Sequence, residues 1–586
     1  MHSLVTPVHA GIWGDQGNGT FKNPILYADY SDPDVIRVGD DYYLVASDFH
    51  FFPNIPILHS RDMVNWTIIG HAVQTLPVDF WPDPNWMYSG NGGGIWAPSI
   101  RFHQNQFWIF FPVRDLGIWM TTASAITGLW STPVRVTNSQ NNWIDPAPFW
   151  DTNGIPYLVN ASRGGGVLYL STLSADGKTV SNTQTIFNNP TTYDNLEGPK
   201  LYKRNNFYYI FAPYGGVQSG PQAVLRATNI NGPYEIRTVL ESGTTTINGP
   251  HQGAWVETQT GQSWFFHFQQ KESSGRIVHL EPLQWVNDWP VIGIDNDGDG
   301  IGEPVANPNK PNVGGTFPID APQSSDEFNS TTLGLQWQWL FPPVNSGWSL
   351  SERPGYLRLE EQQGGIIKFT RNVLTQKIMG GQTQATIELD TALMGSGQTA
   401  GIGVVGEPFA WIGVVQSGST KRFRMYFTND WRGGEGTTDG PTVTGTTVWL
   451  RINTIGDQAT FFYSTNGSSF TQLGGTFQMY FGYWKGMKLG LFSMNSQPDS
   501  GIADFNWFHY THDGPVANPN ASPFPSSTPC PSGDVNEDCD TNAGDIKLLL
   551  QNWLSGGSCG IFSCDLNQDQ KINLLDAALV ITHIIL

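Results

Sequence analysis

The sequence predicts an all-β chain in which a five-bladed β-propeller is followed by a β-sandwich of the jelly-roll kind and a small α-helical tail. Three observations predict it. A hairpin unit recurs five times in roughly the first half of the chain. Alternating strands without helical periodicity fill the middle. Two acidic twelve-residue loops, each followed by an apolar helical stretch, lie at the end.

The first hairpin unit is YSDPDVIRVGDDYYLVAS, Tyr30 to Ser47. It opens on a carboxylate locked against a proline, runs through an apolar strand and turns at Gly39-Asp40-Asp41 into an aromatic-rich strand. The same order returns in WAPSIRFHQNQFWIFF from Trp96, IDPAPFWDTNGIPYLV from Ile144, LEGPKLYKRNNFYYIF from Leu196 and HQGAWVETQTGQSWFFHF from His251. Polar turns flanked by alternating apolar residues are hairpin signals. The anchoring Pro, or Gly in the last copy, stands at 33, 98, 146, 199 and 253. A period near 50 residues with no helical pattern between copies is the mark of four-stranded blades stacked radially.

In such a ring the first strand of every blade lines the central channel, and equivalent strand starts meet at one mouth. The residues there are Asp32, Trp96 with Ala97, Asp145, Glu197 and His251. Carboxylates gathered in a cleft repel one another and push their pKa values apart, which costs stability unless chemistry or a metal uses it. A single Asp-Pro is ordinary turn punctuation; three acids in register are not explained that way. Phe51, Phe52, Trp96 and Trp143 are candidate platforms for a flat ligand face, although each taken singly also suits propeller packing.

The middle region carries strands such as YLRLE, QATIELD, FAWIGVVQ, RFRMYFT and MKLGLFSM, which alternate and end in turns, as a sandwich requires. Pro-rich, polar stretches flank it, and both contain PVANPN. The expected division is a propeller at 1–303, a linker at 304–325, a sandwich at 326–512, a linker at 513–533 and a tail module at 534–586.

In the tail, DVNEDCDTNAGD places Asp534, Asn536, Asp538, Asp540, Asn542 and Asp545 at loop positions 1, 3, 5, 7, 9 and 12. DLNQDQKINLLD places Asp565, Asn567, Asp569, Lys571, Asn573 and Asp576 at the same positions, Lys571 by its backbone carbonyl. Oxygen ligands so spaced match a calcium loop, so two Ca²⁺ ions are expected. DNDGDG at Asp295 to Gly300 has Ala306 where a twelfth-position carboxylate belongs, and reads as a Gly-rich turn. Cys530, Cys539, Cys559 and Cys564 all sit in or beside the tail, which suggests disulfides and an oxidising exterior. Three pairings are open, and a zinc site is the weaker alternative because no His completes a usual pattern.

Composition bounds the partners. Gly 66, Pro 39, 13% aromatic and only 14% charged residues describe a turn-rich β protein, and 23 Trp are more than a core needs. A net charge of −20 argues against nucleic acid or an anionic membrane. No apolar run approaches a membrane span; the longest candidate, LLDAALVITHIIL, contains Asp576 and His583. The start, MHSLVTPVHAGIW, is too short for a whole signal peptide, and Val8-His9-Ala10 reads as the remnant of a cleavage site in a secreted protein.

The stretch NPILYADYSDPDVIRVGDDYYLVASDFHFFPNIPILHSRDMVNW, with WAPSI, IDPAPF and LEGPKLY, resembles glycoside hydrolase family 43. That resemblance implies Asp32 as general base, Glu197 as general acid and Asp145 as the carboxylate that tunes the acid. It implies Arg276, in SGRIVHLEPLQW, as a substrate contact, and His251 as a channel histidine beside a bound Ca²⁺. The sandwich resembles the concanavalin-like domain of β-xylosidase-type members. The paired loops resemble a dockerin, which implies a cohesin-type scaffold protein as partner, although Cys539 replaces the usual Gly at position 6 of the first loop. The implied activity is exo-acting, inverting release of β-D-xylose or α-L-arabinose from xylan-type hemicellulose oligosaccharides, in an extracellular, cellulosome-like complex. Inversion needs a base and an acid about 6.5–9.5 Å apart to admit water. Two other readings compete: a retaining, fructan-type glycosidase, whose acid usually precedes Cys where Glu197 precedes Gly198, and a carbohydrate-binding propeller without catalysis, which has no need of an acid–base pair.

Overall fold

The computed structural model describes residues 11–77, 92–137, 142–428, 434–497 and 501–518. The calcium-loop residues from Asp534 to Asp576, and all four cysteines, lie outside the described residues. Among the described residues there is no α-helix, only three short 3-10 turns, and no helix long and apolar enough to cross a membrane.

Five four-stranded antiparallel sheets form the ring, and they are the five repeats. Their first strands are Ser31–Val38, Ser99–His103, Trp143–Trp150, Lys200–Arg204 and His251–Glu257, called blades I to V here. Small and β-branched residues of these strands, Val35, Ile100, Ala147 and Ala254, are buried where neighbouring blades converge. The aromatic second strands pack between blades, as Phe211 does against Phe265 of the next blade at 5.6 Å between ring centroids.

Asp32 and Asp145 sit inside the first strands rather than ahead of them. In blades I, III and V the register slips between Ser31 and Asp34, Ile144 and Ala147, and His251 and Gly253. At each slip a non-glycine residue takes positive φ: Asp32 at 54°, Asp145 at 53° and Gln252 at 36°. These are β-bulges, which re-aim one side chain out of the pleat, and proline fits because the bulged residue leaves the ladder. The Asp-Pro pairs are therefore not turn punctuation; they turn two carboxylates into the channel.

The sandwich consists of two eight-stranded sheets. Its long strands, among them Gln382–Asp390, Thr447–Ile455 and Lys488–Asn495, bury Ile387, Leu450 and Leu491 between the sheets. The stretch at 304–325 is fixed along the propeller. Phe21 and Asn23 donate backbone hydrogen bonds to the Pro308 and Ala306 carbonyls at 3.1 and 2.9 Å, and Lys310 pairs with Asp15 and Asp62.

Propeller and sandwich share an apolar interface in which Phe51, Phe52, Leu340, Phe341, Trp411 and Phe492 are buried together. A charged knot lies inside it. Asp48 Oδ1 accepts from Lys377 Nζ at 2.6 Å and Lys488 Nζ at 3.1 Å, and Oδ2 accepts from Gln338 Nε2 at 2.9 Å. Burial alone would raise the Asp48 carboxyl, but the two lysines outweigh it and hold it at about 2. Asp48→Asn would take from two buried ammonium groups the carboxylate they share, and is expected to cost about 3–5 kcal/mol of stability. Denaturant unfolding of both proteins would check this; a loss under about 1 kcal/mol, the scale of an exposed pair, would sink it.

Candidate active site

The three carboxylates meet in the channel on blades I, III and IV, each with a different set of partners. Asp32 Oδ1 accepts from Arg276 at 2.8 Å, and its Oδ2 accepts from the Ser31 and Ser47 hydroxyls at 2.8 and 2.9 Å. A guanidinium and two hydroxyls are surroundings fit for an anion. Arg276 also donates to Ser31 Oγ at 2.7 Å, and its backbone N–H is held by Asp29.

Asp145 Oδ2 accepts the Gly198 N–H at 2.9 Å and the Gln252 side-chain amide at 3.0 Å. Gly198, next to Glu197, has φ +59°, and a Cβ there would stand 2.4 Å from the Gln252 side chain. Only glycine leaves room for this join between blades III, IV and V. Glu197 Oε1 faces His251 Nε2 at 3.0 Å. Burial pushes His251 down to about 3, with Arg276 adding to it, so the imidazole that faces Glu197 is neutral. Glu197 is the most open of the three, with 23% of its side chain exposed. Burial and the Asp32 charge raise the Glu197 carboxyl to about 7 against the opposing pull of Arg276. Burial, then Glu197 and Asp32, raise Asp145 as well.

Below these groups Lys200 is buried at 1% exposure and donates to Ser99 Oγ at 2.8 Å, tying blade IV to blade II. Arg101 pairs with Asp34 at 2.6 Å, tying blade II to blade I.

Of the expected aromatic platforms, Trp96 and Trp143 line one hollow together with Ile144 and Arg163. Phe51 and Phe52 are placed elsewhere, which corrects the expectation for both. The Phe51 ring lies under Lys488 Nζ at 3.6 Å, and Phe52 pairs by its backbone with Trp339 of the sandwich, with 1% exposed. The side chains there are consumed by the domain interface. His251 is in the channel, its Nε2 facing Glu197 and the Arg276 guanidinium close by.

Trp484 is a wall residue that sequence reasoning missed. It comes from the sandwich loop at 479–487, its ring 5.4 Å from Trp96 and 5.7 Å from the Arg276 guanidinium. The loop is clamped between the segment entering blade I and blade V: Gly486 donates to Asp29 at 2.9 Å and Met487 to the Ser273 carbonyl at 2.8 Å. A Cβ on Gly486 would meet the Gly275 backbone at 2.7 Å, so two glycines permit the approach. Gln252 was also missed, although it occupies the same bulge position as Asp32 and Asp145.

Comparison with known proteins places this geometry. The sequence model of glycosyl hydrolases family 43 matches residues 21–290. A putative beta-xylosidase of Xylanibacter ruminicola is 41% identical over 482 residues, which covers 82% of this chain and 87% of that protein. The chain belongs to glycoside hydrolase family 43. This family 43 enzyme also matches the beta xylosidase C-terminal concanavalin A-like domain over residues 325–511 and the dockerin type I domain over residues 532–585. A non-reducing end alpha-L-arabinofuranosidase of Bacteroides ovatus is 33% identical, over 60% of this chain and 66% of its own length. The crystal structure of a family 43 protein from Bacillus licheniformis superposes with a TM-score of 0.74 at 28% identity, covering 84% of this chain and 99% of that one.

Proposed function

We propose that this family 43 hydrolase is exo-acting and inverting, and releases β-D-xylose or α-L-arabinose from xylan-type oligosaccharides. The observation that carries the reading is the unequal treatment of the three carboxylates. Asp32 is matched to a guanidinium and two hydroxyls, as a base that must stay anionic needs. Glu197 is raised to about 7 and is the most open of the three, as a proton donor needs, whereas two N–H donors hold the Asp145 carboxyl in place. Glu197 then protonates the glycosidic oxygen while Asp32 takes a proton from water. The water oxygen bonds to C1 as the bond from C1 to the leaving oxygen breaks, and configuration inverts. Asp145 touches no reacting atom in this scheme; it orients Gly198 beside the acid, while burial and the Asp32 charge keep Glu197 protonated.

Proton NMR of the first sugar released from an aryl β-xyloside tests the reading, and the α anomer is expected. Early β anomer would overturn it in favour of a retaining mechanism. Running aryl α-arabinofuranoside in parallel separates the two pentoses, and no turnover of either would favour a binding propeller.

Trp484 and Trp96 roof the channel beside Asp32, which suits a pocket that admits a chain end. Trp484→Ala is expected to raise KM about tenfold, the equivalent of about 1.4 kcal/mol, with kcat nearly kept. An unchanged KM on xylobiose would remove Trp484 from the binding site.

The tail is assigned two calcium ions and a cohesin-type scaffold partner outside the cell. Its crowded carboxylates repel without metal, so folding and calcium binding are coupled. Titration of residues 528–586 is expected to show about two calcium sites, with helical circular dichroism lost on chelation. An unchanged spectrum would defeat the assignment.

A further inference from the structure

Blade V holds a polar cluster that sugar hydrolysis does not use. His267 and His279 are cross-strand partners between Ser263–Gln270 and Arg276–Val286, their rings stacked 5.1 Å apart and 9° from parallel. Glu281 follows His279 by two residues, on the same face of its strand. All three are buried, at 0%, 1% and 0% exposure. One ligand atom from each lies within 4.8 Å of the others.

Protein atoms do not satisfy this cluster. Both ring nitrogens of His279 are buried without a hydrogen-bond partner. One of them carries a proton, and leaving a buried donor unmet is costly enough that native proteins rarely do it. His267 has the opposite problem, an acceptor at each nitrogen: the Phe268 carbonyl 3.3 Å from Nδ1 and Glu281 Oε1 3.4 Å from Nε2. A neutral imidazole has one N–H and can serve only one of them; an imidazolium paired with Glu281 would serve both. Glu281 is meanwhile held firmly from outside. Asn23 donates to Oε1 at 3.0 Å, and the Val305 N–H to Oε2 at 2.7 Å.

We propose that His267, His279 and Glu281 form a structural site for a divalent transition ion, zinc foremost. The ion would take the lone pairs of His267 Nε2, one His279 nitrogen and Glu281 Oε1. His267 Nδ1–H would then donate to the Phe268 carbonyl, the outer bond by which metal-bound imidazoles are usually oriented. The bonds from Asn23 and Val305 do the same for the carboxylate. Tetrahedral zinc with bonds of about 2.0–2.1 Å has ligand edges of about 3.3–3.4 Å, which the 3.4 Å separation of His267 and Glu281 already meets. Two imidazoles and one carboxylate favour zinc over calcium or magnesium, which select oxygen. Asn23 belongs to the N-terminal segment and Val305 to the stretch leaving blade V, so the ion would staple the place where the ring's first and last segments meet. It affects stability, not turnover.

The test uses the full-length protein in calcium-containing buffer, so that the tail stays saturated, with cobalt(II) and zinc as probes. Wild type is expected to retain one more equivalent of metal after dialysis than His279→Phe, and to show cobalt d–d bands without thiolate charge transfer. A zinc-selective chelator is expected to lower the propeller Tm by about 5–10 °C in wild type and not in the variant. If His279→Phe does not fold, Glu281→Gln takes its place, and the wild-type cobalt spectrum decides by itself. Equal metal content in wild type and variant, no such bands, or a chelator-insensitive Tm would overturn the proposal.

Discussion

Glu197→Gln is expected to lower kcat/KM on xylobiose by about 10²–10⁴-fold, the usual contribution of a positioned general acid, while keeping much more activity on an aryl xyloside. The cause lies in the leaving group. A sugar hydroxyl departs only if its oxygen is protonated, whereas a nitrophenolate leaves unaided. Gln keeps the shape and can still hydrogen-bond His251, which Glu197 meets at 3.0 Å in the native enzyme, so the loss reports the proton and not the fold. The pH profile gives an independent reading. An acid at Glu197 must be protonated to act, and this carboxyl is raised to about 7, so native activity is expected to fall as pH rises through about 7. In the variant that alkaline limb disappears on the aryl substrate. Equal losses on both substrates, or a limb that persists, would remove Glu197 from the acid role.

Asp32→Asn is expected to cost a similar factor, about 10²–10⁴, on both substrates alike, because water must be deprotonated whatever the leaving group. The variant also leaves Arg276, bound to Asp32 at 2.8 Å and 4% exposed, without its anion. A fall in Tm is therefore expected beside the kinetic loss, and the assays belong well below that Tm. Azide discriminates the two effects, since it attacks carbon without a base. It is expected to restore turnover of an aryl β-xyloside and to give the α-glycosyl azide. No rescue from a folded variant, or a β-azide, would contradict Asp32 as base.

What the sequence made legible was whatever local chemistry determines. Hairpin turns and apolar alternation are local, so five blades could be counted, and equal strand starts put Asp32, Asp145 and Glu197 at one mouth. The bulges were not legible because a register slip is a relation between two strands, and with them went Gln252. Phe51 and Phe52 were misplaced for a related reason: an aromatic pair after a strand does not declare whether its neighbour is a ligand or another domain. The Pro-rich stretch at 304–325 reads as a spacer, yet its carbonyls are the acceptors for Phe21 and Asn23, nearly three hundred positions earlier in the chain. Trp484 carried no local signal, since only the docking of Gly486 against Gly275 brings it to the channel. The paired loops of the tail fit the dockerin match over residues 532–585, because ligand spacing in a calcium loop is itself local.

That docking has a temporal meaning. Every blade is encoded before residue 293, and a chain emerging from the ribosome can close its ring with all three carboxylates in place. The pocket, however, lacks its roof until the loop at 479–487 has been made and seated on blade V. Synthesis thus delivers the three carboxylates long before Trp484, which reaches the channel only with the second domain.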